Sequence, residues 1–413
     1  MAATAALLFL LGSMAGEAGK DSVADLLGER CLSLGIDLDP DNPNASHPSP
    51  ADVQALARAG AGSWLDAQIT SGDDVITEPP AALREFLLAH QGPLQAAIAI
   101  LEKRSPEPAV KAGSLEVPKL LPIVRLEKLL LAAALVEARS GNAFEAERAL
   151  EASWSLGKAF ASGHYLISQL LSVSVERWQS GVLRKLPEVP FAWINRLSTD
   201  SAWTRMLDAV AEEGTLLSDP TRVSTQDSSP PLRRRALAAL ADGLRKVSAC
   251  ELPGLSDEEI FRPAADVFRL EMSQQARAWG EIYKDMVMPN FLSSIRRAAR
   301  LMVDRELTLK VLELRFEKAA SREGAWPTEY ENFGSSVCPG VLYAYGSDGK
   351  SMQIRFDGPV NTPEAGVVLP LEFRSGAGLA APLPTLTPSP TPTPTPTPEP
   401  EPEELDSPEE PEP

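Results

Sequence analysis

The chain has 413 residues, 44% hydrophobic and 23% charged. That is enough apolar material for one large or two ordinary domains with a buried core, and it excludes a stapled mini-protein. The formal charge is −18, and eight of the negatives (Glu399, Glu401, Glu403, Glu404, Asp406, Glu409, Glu410 and Glu412) fall in the last fifteen residues, leaving −10 on the preceding 398. A field of that sign repels a phosphate backbone, so nucleic acid is not expected as a partner.

Ala5–Leu11 (AALLFLL) is an apolar run followed by the small residues Gly12, Ser13, Ala15, Gly16 and Ala18. This is the order of an h-region and cleavage zone, although no Lys or Arg precedes it. Residues 1–19 are therefore expected to be a signal peptide or short anchor of an exported, periplasmic or cell-surface protein. The alternative is a buried helix in a cytoplasmic one. An uncleaved N-terminus would be the sole membrane contact, since no other stretch has the length of an apolar span.

Residues 39–50 (DPDNPNASHPSP) read as a loop. A helical body over 20–288 follows, with helices predicted at Asp52–Ala59, Ala81–His90 and Leu94–Lys103, the last two parted by Gly92-Pro93. The strongest helical periodicity lies in Ile123–Arg139, Ala143–Phe160 and His164–Leu186, punctuated by Ser140-Gly141-Asn142 and Ser162-Gly163. Leu129–Val136 is apolar almost all round and is expected at the centre of the core. GNAFEAERAL, with Gly141 in the turn and Ala146 facing back across it, predicts an antiparallel hairpin of tetratricopeptide type without a 34-residue period. Further helices are predicted at Thr199–Glu213, Leu232–Ala249 and Pro263–Trp279. Arg233, Arg234 and Arg235 read as solvated charges on a helix entered at Pro230-Pro231.

A C-terminal module is expected over 289–376. It opens with a long helix, Phe291–Ser321, whose seam Ile295, Met302, Leu309 and Phe316 alternates with Ala298, Leu312 and Ala319, Arg305 being the exception. The period then changes to two. Val341–Tyr345 and Met352–Phe356 flank Gly346–Lys350 as a hairpin, and Gly366–Phe373 supplies a third strand. From Leu383 alternate prolines bar regular structure, so 377–413 is expected to be a disordered spacer rich in Pro, Thr and Glu.

Chemistry-bearing patterns are sparse. Cys31, Cys250 and Cys338 lack metal-ligand or CxxC spacing; they allow at most one disulfide, and their odd number leaves at least one thiol free, which leans slightly toward a reducing compartment. His47, His90 and His164 have no second ligand at metal spacing, and no nucleophile elbow, HExxH or phosphate-binding glycine loop is present. No catalytic residue, cofactor or metal is assigned. Aromatic residues gather between Trp154 and Trp203, and Trp154, His164, Tyr165, Trp178 and Trp193 are the candidates for a ligand or partner groove, with core packing as the structural alternative.

Two stretches carry a resemblance. RLEKLLLAAALVEARSGNAFEAERALEASWSLGKAF with HYLISQLLSVSVERW (125–178) is similar to the helical repeat-like middle of a group of uncharacterised bacterial envelope proteins. ELTLKVLELRFEKAASREGAWPTEYENF with VLYAYGSDGKSMQIRF (306–356) resembles their distantly pseudopilin-like C-terminal module. There Gly324, Trp326 and Pro327 match a Gly-x-x-Pro turn, and Tyr343, Tyr345, Asp348 and Gly349 match the hairpin. The long hydrophobic N-terminal helix and processing site of true pseudopilins are absent, so pilus assembly is not implied.

The fold class expected is mainly α: a multi-helix bundle or helical-hairpin array with a small C-terminal antiparallel sheet. The functional expectation is a non-enzymatic helical scaffold or protein-interaction protein of the bacterial envelope, with a protein partner there. The alternative is a hydrolase or glycan-binding protein using the tryptophan-rich region around His164.

Overall fold

The computed structural model describes residues 60–103, 120–163, 166–199, 201–216, 230–270, 288–331, 333–359 and 371–376. The expectations for the N-terminal run, the 39–50 loop, Asp52–Ala59 and the C-terminal spacer fall outside these residues. The described residues belong to a unit running Met1–Leu383, and they are mainly helical, with a small C-terminal sheet.

Helices α1 (Ala61–Thr70), α2 (Ala81–Ala89) and α3 (Gln91–Lys103) open the fold. The sequence reading missed α1. Its burial comes from docking on later helices: a Cβ at Gly181 would stand 2.6 Å from Ile69 Cγ2, so the glycine permits the close approach. Gly92-Pro93 does not break the chain as expected. It sits in the first turn of α3, where a missing N–H costs nothing, and the break falls at His90. That histidine stacks on Phe86 at 4.1 Å and bonds the Phe86 carbonyl through Nδ1 at 2.8 Å.

Helices α4 (Leu120–Arg139) and α5 (Ala143–Ala161) form the expected hairpin. Gly141, at φ +81, closes α4: its N–H bonds the Ala138 carbonyl and that of Asn142 bonds Glu137, the paired pattern of a Schellman turn. Every residue from Leu129 to Leu135 is buried, so α4 is enclosed on all sides as its composition requires. With α6 (Leu166–Lys185) and α1 to α3 it builds the first apolar cluster.

A short helix not foreseen, α7 (Ala192–Ser198), follows Pro190. The expected Thr199–Glu213 helix is displaced to α8 (Ala202–Leu216), where Ser201 Oγ accepts the Thr204 N–H as an N-cap. Helix α9 (Pro230–Leu244) starts at its two prolines and ends earlier than expected, passing into a single 3₁₀ turn at Leu252–Gly254. Arg234 and Arg235 are exposed on it.

Helix α10 (Asp257–Leu270) begins six residues before the Pro263 start that was expected. Ser256 and Glu259 form a reciprocal capping box, Ser256 N–H to Glu259 Oε2 at 2.9 Å and Glu259 N–H to Ser256 Oγ at 3.2 Å. Pro263 therefore lies inside the helix, and its ring faces Gly243 of α9, where a Cβ would stand 2.7 Å from Pro263 Cγ. Helices α8 to α10 make the second cluster.

Helix α11 (Met288–Ala320) is the spine: its residues enter all three apolar clusters. The expected seam is only part of what it buries. Ile295, Ala298 and Leu312 are buried, whereas Met302, Leu309 and Phe316 are half-buried and Ala319 is exposed. Between Ala298 and Leu312 nearly every side chain is enclosed, charged ones included, because neighbours pack on several sides.

The third cluster is α11 against an antiparallel sheet of order β1-β2-β3, with β1 (Tyr343–Ser347), β2 (Met352–Phe356) and β3 (Glu372–Ser375). Tyr343 pairs with Phe356 and Ser347 with Met352, so Met352, Ile354 and Phe356 face α11 as the alternation predicted. The third strand lies further along than Gly366–Phe373. Its hydrogen bonds run from Met352↔Ser375 to Arg355↔Glu372. In the turn, Gly349 at φ +83 presents its carbonyl to the Trp326 N–H at 2.8 Å, and Tyr345 hydroxyl bonds the Pro327 carbonyl at 2.6 Å.

Among the described residues, extended pairing before residue 320 is confined to an isolated bridge, Asp73↔Arg374. The Arg374 N–H bonds the Gly72 carbonyl at 2.9 Å, and Ser375 hydroxyl bonds the Asp74 carboxylate. Lys185 fills the same corner. Its ammonium has three acceptors, Ser71 Oγ (2.6 Å), Asp73 Oδ1 (2.6 Å) and the Val75 carbonyl (2.8 Å), which match its three protons. Burial would raise the Asp73 carboxyl, but the hydrogen bond and charge of Lys185 hold it below its ordinary value.

Candidate functional site

The candidate groove residues divide into two places. Trp154 on α5 and Trp193 on α7 meet edge to face at 5.3 Å, with Trp193 fully buried. Arg196 lies over the Trp193 ring at 4.7 Å and is paired with Glu151 at 2.5 Å, while Lys158 lies over Trp154 at 5.8 Å. Trp178 on α6 packs instead beneath Lys128 of α4, whose ammonium is 4.6 Å from the ring and 3.5 Å from Asp66. These faces are occupied by the protein's own cations. His164 and Tyr165 lie outside the described residues.

A groove of about 170 Å³ lies between the α4–α5 turn and the 186–190 segment. Leu150, Pro187, Val189 and Pro190 give it apolar walls, and Glu147 and Glu188 supply carboxylates. Phe144, next to lining residue Ala143, is 70% exposed; Phe191, next to Pro190, is 61% exposed and meets Phe316 edge to face at 5.3 Å.

The interior holds polar constellations that sequence reasoning did not find. In the α4–α5–α6 core Glu127 is fully buried. One of its oxygens takes the Ser153 hydroxyl and Gln179 Nε2 (3.1 Å), and the other has no hydrogen-bond partner. With no cation beside it, burial pushes this carboxyl up to about 8, the two hydrogen bonds opposing only in part.

Between α6, α8 and α11 the Glu176 carboxylate is clamped by Arg205 on one oxygen and Arg305 (3.0 Å) on the other, with the Ser172 hydroxyl at 2.7 Å. Arg305 also caps α7, donating to the Leu197 carbonyl at 2.7 Å. Its break in the apolar seam was the one visible trace of this cluster. On the sheet side, Glu306 accepts from Ser335 Oγ (2.5 Å), the Ser336 N–H (2.5 Å) and hydroxyl (2.7 Å), and Tyr343 (3.1 Å), which satisfies the carboxylate with donors alone.

Beside that cluster Cys250 and Cys338 form a disulfide, with Cα atoms 5.5 Å apart. The two cysteines are 88 residues apart, and only folding brings the 3₁₀ turn after α9 against the loop before β1.

Among the described residues no set of three His, Cys, Asp or Glu side chains is placed to hold a metal, and no helix is long and apolar enough to cross a membrane. The architecture is thus a mainly helical one built on a central helix, closed by a disulfide-tied three-stranded sheet. Compared with protein-family models, curated proteins and solved structures, the chain finds no match.

Proposed function

We propose that the chain is a non-enzymatic protein-interaction scaffold of the bacterial envelope, engaging its partner at the groove between the α4–α5 turn and residues 186–190. The observation that carries this reading is the pair of exposed phenylalanines, Phe144 and Phe191, next to that apolar groove. Large aromatic side chains left in water beside a concavity are the usual anchors of protein recognition. The carboxylates of Glu147 and Glu188 suit an apolar partner segment that carries a Lys or Arg. The Cys250–Cys338 bond supports the compartment, because such bonds persist where the surroundings are oxidising.

The test is a photo-crosslinking residue placed at position 144 or 191 in cells, with the exposed Leu270 as control position. A discrete partner adduct at 144 and 191, absent at 270 and competed by a basic-apolar peptide, is expected. Equal labelling at all three positions, or recovery of the protein with reduced cysteines in the cytoplasmic fraction, would sink the reading.

A further inference from the structure

The groove beside Phe144 and Phe191 has more to it than apolar walls. Ala138, Gly141, Ala143 and Ala146 line one side, and their small size leaves the hollow open. Ala143, Glu147 and Leu150 recur at helical spacing, so Glu147 reaches the groove from α5, while Glu188 reaches it from the 186–190 segment opposite. Neither carboxylate forms an ion pair or a hydrogen bond among the described residues. The cations on the flanking stretches are committed elsewhere: Arg139 to Glu78, Arg148 to Glu102 and Glu145, and Arg196 to Glu151. Arg315, which reaches the end of α6, gives its guanidinium to the carbonyls of Leu183, Arg184 and Leu186. Both sides of the groove thus carry negative charge that the chain itself leaves unpaired, the complement of a cationic ligand.

Main-chain groups are open there as well. Pro187 and Pro190 have no N–H, so Glu188 and Val189 hold the donors between them, and neither amide makes a backbone hydrogen bond among the described residues. Val189, as the residue before a proline, is kept extended. A peptide laid along this segment finds main-chain partners that a free small cation would not use. The size of the hollow decides how such a peptide sits. A docked helix inserts side chains one and two turns apart, which needs a longer trough than about 170 Å³ provides. One long side chain fits, with its aliphatic stem along Leu150 and Val189 and a cationic head between the two carboxylates.

We propose that this groove seats a single arginine side chain of the partner, carried on an extended segment, with the guanidinium held between Glu147 and Glu188; this rests on the interaction reading given above. Arginine suits the place better than lysine because its rigid fork of N–H groups serves two acceptors at once. Its flat face also stacks on aromatic rings, as Arg148 of the chain itself does at 5.8 Å from the Phe144 ring centre.

The experiment measures the fluorescence anisotropy of a labelled, end-blocked peptide with one arginine between two valines, titrated with the full chain. Saturable binding is expected, weaker for the lysine peptide and weaker still when citrulline, which has the shape without the charge, replaces the arginine. Glu147→Gln and Glu188→Gln should each cost roughly tenfold in affinity, the loss of one charge-assisted contact. Ala143 is exposed, so Ala143→Leu should fill the groove and abolish binding while leaving the thermal midpoint unchanged. Equal affinity for the arginine and citrulline peptides, or wild-type affinity in the Glu147→Gln, Glu188→Gln double variant, would overturn the proposal. In cells the same double variant separates it from the reading beneath it. Partner adducts at positions 144 and 191 should disappear in the double variant. If they persist there, the arginine seat is wrong and the interaction reading stands; if the otherwise unaltered chain gives no adducts, both fall.

Discussion

Glu127 and Glu176 are both buried acids facing the middle of the helical body, and the protein accommodates them by opposite means. Glu127 has two neutral donors on one oxygen, none on the other and no cation, so at neutral pH it stays protonated. Glu176 has a guanidinium on each oxygen and a hydroxyl besides. Around Glu127 the three helices already meet through apolar side chains, and the acid is a passenger in a core that would form without it. In the α6–α11 seam the ions themselves decide which faces meet, a specificity that uniform apolar stripes would lack.

The sharpest way to break this contrast is Glu176→Ala. It strands Arg305 in the interior, and a loss of about 3 to 5 kcal/mol is expected in urea unfolding; a loss under about 1 kcal/mol would mean that the clamp is ornamental. Replacing Glu176 and Arg305 together by Met should recover most of that loss, since a buried pair exchanged for packed side chains is often neutral. If the double variant stays as unstable as the single one, the cluster contributes stability as well as register.

Glu127→Gln should act in the other direction and depend on pH. Between the ordinary glutamate value of 4.5 and the folded value of about 8 the native state holds one proton more than the unfolded chain. The stability linked to Glu127 is therefore fully present below pH 4.5 and is lost as pH rises toward 8. The glutamine variant removes that slope: midpoints should coincide near pH 4.5, and the variant should lead by a few kcal/mol at pH 8. Parallel pH profiles would refute a neutral Glu127. The smallest effect is expected from Ser153→Ala, about 1 kcal/mol for one hydrogen bond, with the sloping part of the profile displaced to higher pH because a contact favouring the ionised form is gone.

Much of the fold was legible where local pattern and tertiary packing agree. The apolar run Leu129–Leu135, the Gly141 turn and the alternation Met352–Ile354–Phe356 each encode their structure within a few neighbours. Helices α1 and α7 were not legible, since ten and seven residues give too few turns for a periodicity and both are stabilised by what they dock on. Pro263 misled because its usual place is a first turn, although the Ser256–Glu259 box upstream marked the true start. The groove candidates Trp154, Trp178 and Trp193 were visible as aromatic residues, but their division between two places depends on helix packing. Nothing in the spacing of Cys250 and Cys338, or of Glu176 and Arg305, announces that they touch. Such partners lie far apart in sequence, and the break that Arg305 makes in the apolar seam marks one partner without identifying the other.

The corner where Asp73 and Asp74 meet Arg374 and Ser375 ties the two ends of the described fold together. The Asp74–Ser375 contact spans 301 residues, so closing it encloses nearly all of the described helices in one loop. Lys185 holds the same loop after α1 through Ser71, Asp73 and Val75. Contacts of such separation raise the contact order of the fold, the property that slows folding.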